Sequence, residues 1–157
     1  MVKDKVVFVT GAASGIGKQI AESFLKNGAK VMFSDINQEA LNNTITELQK
    51  KGYDCMSVKC DVTKEEEINH AIDKTVEKYG RLDILINNAG LQHVSMIEDF
   101  PTDKFEFMIK IMLTAPFIAT KKAFPIMKKQ GFGRIINMAS INGVIGFAGR
   151  SEEHTSE

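Results

Sequence analysis

The 157-residue sequence has no tryptophan, only two cysteines and three prolines, and no excess of charge, because 20 basic side chains balance 20 acidic ones. Zero net charge argues against a nucleic acid or an anionic membrane as partner, since both need a basic surface. No apolar run reaches the roughly 18 residues that a membrane-spanning helix needs, and the N-terminus lacks the apolar core of a signal peptide. We therefore expect a cytoplasmic protein with neither kind of partner.

The two cysteines, Cys55 and Cys60, do not form a CxxC pair and have no histidine at ligand spacing. Such scattered cysteines in a cytoplasmic chain are typically reduced. We expect structural thiols near a strand and no metal site.

Short runs of β-branched residues alternate with segments of helical periodicity, a pattern typical of βαβ units on a parallel sheet. We predict strands over residues 6–10, 30–35, 54–59, 82–87 and 134–138. Helices are predicted over 16–27, 38–51, 63–79 (opened by a capping box at Thr63) and 103–129, the last interrupted by Pro116 and Pro125. The pattern predicts an α/β fold with a doubly wound parallel sheet.

A glycine-rich turn, Thr10-Gly-Ala-Ala-Ser-Gly-Ile-Gly17, separates the first strand from the first helix. Glycine permits a tight turn and a close approach to phosphate, and a helix N-terminus supplies free N–H groups with partial positive charge. The sequence therefore predicts a phosphate-binding turn. Its residues are Thr10, Gly11, Ser14, Gly15, Ile16 and Gly17.

Asp35 ends the second strand, close to the spacing at which a carboxylate meets the ribose hydroxyls of a bound dinucleotide. A carboxylate here would repel a 2′-phosphate. Residues 36–38 contain no arginine or lysine, and Ser14 is neutral, so NAD(H) is favoured over NADP(H). A helix-capping role for Asp35 is compatible with this interpretation.

Two further motifs follow in order: Asp61-Val62 after the third strand and Asn87-Asn88-Ala89-Gly90 after the fourth. With the glycine turn, they resemble the short-chain dehydrogenase/reductase family over residues 1–149. The resemblance implies a Rossmann-type sheet of order 3-2-1-4-5 with later strands missing, hence an incomplete NAD-binding domain over 1–149. It also implies that Asp61 and Val62 hold the adenine, and that Asn88, Ala89 and Gly90 line the cofactor cleft.

Ser140, after the fifth strand, matches the family's catalytic serine, which hydrogen-bonds the substrate oxygen. The family also uses a Tyr-x-x-x-Lys pair, which should fall at positions 153 and 157, where this chain has Glu153 and Glu157. Met112 stands where the family has an active-site asparagine. We therefore expect that the parent protein is an NAD-dependent dehydrogenase and that the chain as written is inactive.

Within the family, residues 91–94 and 131–143 resemble the 3-hydroxybutyrate dehydrogenase group. That resemblance implies that Gln92 binds a substrate carboxylate, and Asn142 replaces a histidine of the group. The expected substrate is a small hydroxy acid or keto acid. Gln92 as an ordinary loop residue, another alcohol, sugar or 3-oxoacyl substrate, and a non-catalytic NAD(H)-binding module remain alternatives.

The last eight residues, 150–157, contain no apolar side chain. They match the in-frame translation of the start of a common sequencing adapter. We therefore expect a non-native polar tail after Gly149 and a longer parent protein. The family resemblance implies that this parent is a homo-oligomer assembled through the long helix and the helix that would follow Gly149. A naturally short chain with an acidic tail is the alternative.

Overall fold

The computed structural model describes residues 2–140, which build a five-stranded parallel sheet flanked by helices. The strands are β1 (Val6–Thr10), β2 (Lys30–Asp35), β3 (Cys55–Lys59), β4 (Ile84–Asn87) and β5 (Arg134–Asn137), arranged in the order β3-β2-β1-β4-β5. The helices are α1 (Gly15–Lys26), α2 (Gln38–Lys50), α3 (Glu65–Tyr79), α4 (Thr102–Ile109) and α5 (Ala115–Lys129). The predicted fold class and strand order are confirmed, whereas the predicted tail, 150–157, lies outside the described residues.

The central strand, β1, is buried along its whole length. It pairs in parallel with β2 on one side and β4 on the other. Both faces of such a strand are covered, which is why its sequence is an unbroken apolar run rather than an alternating one. Val7 and Val9 pack under α1 and α2, and Phe8 packs in the opposite layer, under α3 and α5. The carboxyl ends of the strands are thereby fixed at one edge of the sheet.

The start of α3 differs from the predicted capping box. Lys64 is the N-cap, and no side chain caps the helix. The Thr63 hydroxyl instead donates to Asp61 Oδ1 at 2.7 Å, as does the Thr63 N–H at 3.0 Å. Because a carboxylate is a strong acceptor, the Thr63 hydroxyl donates to Asp61 and does not accept from the N–H groups of the helix.

The long helical segment is interrupted before Pro116, and helix α5 continues through Pro125. A π-helical turn, Lys110–Thr114, joins α4 to α5. Pro116 lies in the first turn of α5, and Pro125 lies inside that helix. Proline has no N–H to donate, and a wider π turn just before Pro116 accommodates the missing bond.

Cys55 and Cys60 are free and buried, in agreement with the predicted structural thiols. Burial raises the pKa of each thiol to about 11. Between residues 2 and 140 there is no group of three or more His, Cys, Asp or Glu side chains that could hold a metal ion. No helix in that part of the chain is long and apolar enough to cross a membrane.

Candidate cofactor and substrate cleft

A cleft of about 710 Å³ lies at the carboxyl edge of β1, β4 and β5. A neighbouring cavity of about 290 Å³ shares five of its lining residues, Gly11, Asp35, Ala89, Gly90 and Leu91. Most of the predicted site residues within the described chain line one or both: Gly11, Ser14, Ile16, Gly17, Asp35, Asp61, Val62, Asn88, Ala89, Gly90, Gln92 and Ser140. Thr10, which is buried, and Gly15, which is exposed, line neither space, and Asn142 is outside the described residues.

Two turns that are far apart in sequence are tied together by Thr10 and Asn88. The Thr10 hydroxyl accepts from the N–H groups of Asn88 and Ala89, both at 3.0 Å. In return, Asn88 Nδ2 donates to the carbonyls of Thr10 at 3.0 Å and Gly11 at 3.2 Å. Every one of these bonds satisfies a backbone group at a strand end. The glycine turn and the turn after β4 therefore form one rigid wall of the cleft.

Gly11 and Gly17 are needed because the backbone is packed too closely for a side chain. Gly11 has a φ of +63°, and a Cβ there would lie 2.9 Å from Ala89 Cα. A Cβ on Gly17 would overlap the Gly11 carbonyl oxygen and Asn88 Nδ2. These two glycines thus let α1 begin directly against the turn after β4.

The N-terminus of α1 opens on the cleft with its backbone donors available. Ser14 is the N-cap, its side chain makes no capping hydrogen bond, and the first turn has no acidic residue. The first N–H groups of a helix have no partner inside the helix. Ile16, in the first turn of the helix, lines the cleft and is 68% exposed. The arrangement fits a phosphate group.

Asp35 is held rigidly at the end of β2. Its Oδ2 accepts from the Ala13 N–H at 3.0 Å and its Oδ1 accepts from the Asn37 N–H at 3.0 Å. Each carboxylate oxygen can accept a second bond, so the group still has acceptor capacity toward the cleft. The helix cap of α2 is Asn37, whose side chain accepts from the Ala40 N–H, so Asp35 is not that cap.

Asp61 and Val62 line the smaller cavity beside Ile36 and Phe107. Burial works against the charge on Asp61, but hydrogen bonds from Thr63 together with the positive charges of Lys64 and Lys110 outweigh it and hold the pKa of that carboxyl below its usual range. The Asp61 N–H donates to Glu67 Oε2 at 2.8 Å, which anchors the loop to α3. Ile36, Val62 and Phe107 make this end of the cleft partly apolar.

The opposite end of the cleft holds Gln92, Ser140 and Met112. Ser140 follows β5, and β5 is aligned with β4 by the Asn87 Nδ2 bond to Asn137 Oδ1, at 2.8 Å. Met112 lies in the π-helical turn and faces Gly90. A thioether is only a weak acceptor, so Met112 does not supply the hydrogen bonds of an amide there.

Several residues that line the cleft carry no signal of their own in the sequence. Leu91, Pro116, Met138 and Ala139 are such apolar wall residues. The positions of Met138 and Ala139, directly after β5, are the one clue, because ligands bind outside the carboxyl ends of parallel strands.

The strand order and the cleft at the carboxyl edge define a Rossmann-like α/β protein. The sequence profile of the family described as short chain dehydrogenase matches residues 5–152. The chain belongs to this family.

Similar proteins support the assignment. An uncharacterized oxidoreductase, YxjF, of Bacillus subtilis (strain 168) is 53% identical over 156 residues, which is 99% of this chain and 61% of the relative. The CLA biosynthesis dehydrogenase/reductase of Lactiplantibacillus plantarum is 40% identical over 99% of this chain and 54% of its own length. The crystal structure of an NAD+-bound xylitol dehydrogenase superposes with a TM-score of 0.92 at 35% identity, covering 97% of this chain and 59% of that one. The chain thus spans little more than half the length of these relatives.

Proposed function

We propose that this chain is the cofactor-binding part of an NAD-dependent oxidoreductase of the short-chain dehydrogenase type. The observation that carries the proposal is the placement of Asp35 and the open N-terminus of α1 on one cleft. A carboxylate beside a phosphate-binding helix end suits a dinucleotide whose ribose hydroxyls are free. NAD supplies a hydride acceptor, and NADH a hydride donor, at nicotinamide C4.

Different residues of the chain would bind different parts of the cofactor and the substrate. The backbone N–H groups of Gly15, Ile16 and Gly17 would face the pyrophosphate, and Asp35 would accept from the ribose hydroxyls. Asp61 and Val62 would hold the adenine, and the wall formed by Asn88, Ala89 and Gly90 would carry the nicotinamide half. At the far end, the Ser140 hydroxyl would donate a hydrogen bond to the substrate oxygen. These roles rest on the shared lining of the cleft and on the family resemblance.

The cofactor preference is tested by Asp35→Ala. We expect the wild-type chain to bind NADH in preference to NADPH. Removal of the carboxylate should weaken NADH binding by on the order of 10- to 100-fold, since hydrogen bonds to a charged group contribute about 1.5–3 kcal/mol. NADPH binding should not fall, because the repulsion of the 2′-phosphate disappears. Titration of NADH and NADPH fluorescence measures both affinities.

Asp35→Asn is the matched control for the backbone bonds that Asp35 makes to Ala13 and Asn37. The amide oxygen can keep one of these bonds, and the variant removes the charge. It should therefore relax the discrimination against NADPH while the circular dichroism spectrum is unchanged. Equal binding of NADH and NADPH by the wild-type chain would contradict the NAD assignment.

For the substrate, we propose a small hydroxy acid or keto acid such as 3-hydroxybutyrate and acetoacetate. Gln92 on the cleft wall near Ser140 supports this, because its amide could donate to a carboxylate. In the NADH-loaded chain, Gln92→Ala should weaken acetoacetate binding by about 10-fold or more. Calorimetric titration measures the change, with Gln38→Ala at the exposed start of α2 as control. Unchanged acetoacetate binding in Gln92→Ala would favour another alcohol, sugar or 3-oxoacyl substrate.

We propose that the chain as written binds cofactor without turnover, because Tyr-x-x-x-Lys occurs nowhere in it. A non-catalytic NAD(H)-binding module is the second candidate, favoured by Met112 in the cleft. Sequencing of the gene past the codon for Gly149 separates the two. Tyr and Lys codons at positions 153 and 157 would support the enzyme and the adapter origin of residues 150–157, whereas Arg150–Glu157 followed by a stop would leave the binding module.

We propose that the parent protein is cytoplasmic and associates with further copies of itself through the long helical segment. Large exposed apolar side chains on that segment support the self-association: Leu113 is 64% exposed, Phe117 66% and Phe124 58%. Analytical ultracentrifugation of the full-length parent protein should show a species larger than the monomer. A monomer at all concentrations would contradict it.

A further inference from the structure

A second cavity, of about 530 Å³, lies between β3 and α3, at the edge of the sheet opposite β5. The strands contribute Met32, Met56 and Val58 to its wall, and α3 contributes His70, Lys74 and Lys78. None of these residues lines the cofactor cleft. We refer to this cavity as the β3–α3 groove.

The floor of the β3–α3 groove is apolar. Met32 is 2% exposed, and Met56 and Val58 are partly buried against the layer formed by α3 and α5. Among the described strands, β3 pairs with β2 alone, so the groove opens at the edge of the sheet. Methionine is flexible and polarisable, and it adapts readily to an aliphatic ligand.

The rim of the groove is basic. His70, Lys74 and Lys78 are spaced by four residues along α3, so they lie on one face of the helix. Glu77 also lines the groove, but its Oε2 is bound by Lys74 Nζ at 2.7 Å. Lys78 makes no ion pair with any residue between 2 and 140. One positive charge therefore stands uncompensated above an apolar floor.

We propose that the β3–α3 groove binds an amphipathic monoanion, an aliphatic chain that ends in a carboxylate, of which a medium-chain fatty acid is the simplest example. The chain would lie on Met32, Met56 and Val58, and the carboxylate would meet Lys78 at the rim. A volume of about 530 Å³ is in the range of small-molecule sites. Charge complementarity favours this ligand over an uncharged one and over an extended peptide added to the edge of β3.

The location of binding can be tested with decanoate on the full chain carrying methionines labelled with ¹³C at the methyl group. Below its micelle concentration, decanoate should shift the signals of Met32 and Met56. The signals of Met112 and Met138, which line the cofactor cleft, should not move. Shifts confined to Met112 and Met138, or no saturable shift at all, would overturn the proposal.

The chemistry of binding can be tested with a series of ligands. From hexanoate to decanoate, the affinity should rise by up to about fourfold for each methylene that is buried. Decanol should bind more weakly than decanoate. Equal affinities of decanol and decanoate, or an affinity independent of chain length, would contradict an amphipathic anion site, as would saturable binding of an extended peptide along β3 without any response to decanoate.

The role of the rim charge is tested by Lys78→Glu, an exposed position at which the fold should persist. The variant should bind decanoate about five- to tenfold more weakly, since both an attraction is lost and a repulsion gained at a partly exposed site. Lys50→Glu, at the exposed end of α2, is the matched control and should bind as the wild-type chain does. Unchanged binding in Lys78→Glu would overturn the proposal. NADH titrations of the same samples test the proposed function separately.

Discussion

Asp83→Ala is expected to destabilise the chain by about 1–3 kcal/mol, the cost of leaving a buried backbone donor without its acceptor. The Asp83 side chain is fully buried just before β4. It accepts from Arg81 Nε at 2.8 Å and Nη2 at 2.6 Å, and from the Val6 N–H at 2.9 Å. Lys5 Nζ lies 3.9 Å away. In the alanine variant, the Val6 N–H at the start of the central strand would lose its acceptor.

The free energy of unfolding by urea, followed by circular dichroism, measures this effect. Asp73→Ala is the matched control, because Asp73 also forms an ion pair, with Lys122 at 2.7 Å, but its side chain is 60% exposed. An exposed pair contributes only about 0–1 kcal/mol, so the control should unfold at nearly the wild-type urea concentration. If the two variants lost a similar free energy of unfolding, the burial of Asp83 would not determine how much this residue contributes to stability.

The contact between Asp83 and Val6 could not be predicted from the sequence, whereas the strands and helices could. The apolar run of β1 and the periodicity of α1 predict those elements, because burial and secondary structure impose a repeating pattern on neighbouring residues. Nothing in the segment around Asp83 indicates that its carboxylate reaches Val6, 77 residues away along the chain. Contacts of this kind depend on the assembled sheet.

Those residues of the cleft that directly follow a strand could be predicted from the sequence. The glycine turn, Asp35, Asp61 and Asn88 stand at the carboxyl ends of β1, β2, β3 and β4, and the parallel sheet brings these ends together. The π-helical turn that carries Met112 was not predictable from Pro116 alone. A proline removes one hydrogen bond from a helix, but whether the helix then kinks or widens depends on what packs beside it.

Gly17→Ala is expected to cost about 2 kcal/mol or more of stability and to abolish measurable NADH binding. Alanine is intrinsically the better helix former by about 1 kcal/mol, so propensity alone would make the variant more stable. Against this, the new methyl group would overlap the Gly11 carbonyl oxygen and Asn88 Nδ2. A backbone carbonyl cannot rotate away as a side chain can, and overpacking of this kind costs about 1–3 kcal/mol or more.

Relief of that overlap requires α1 to move away from the wall formed by Thr10 and Asn88, which displaces the N–H groups proposed to face the pyrophosphate. Thermal unfolding and NADH fluorescence titration measure the two effects on one sample. Gly90→Ala is the matched control for stability, because its φ is not positive and its Cβ would meet Met112 only at ordinary contact distances of 3.6 and 3.7 Å. If Gly17→Ala were as stable as Gly90→Ala and bound NADH normally, the close contact between α1 and the turn after β4 would not be what shapes the cofactor site.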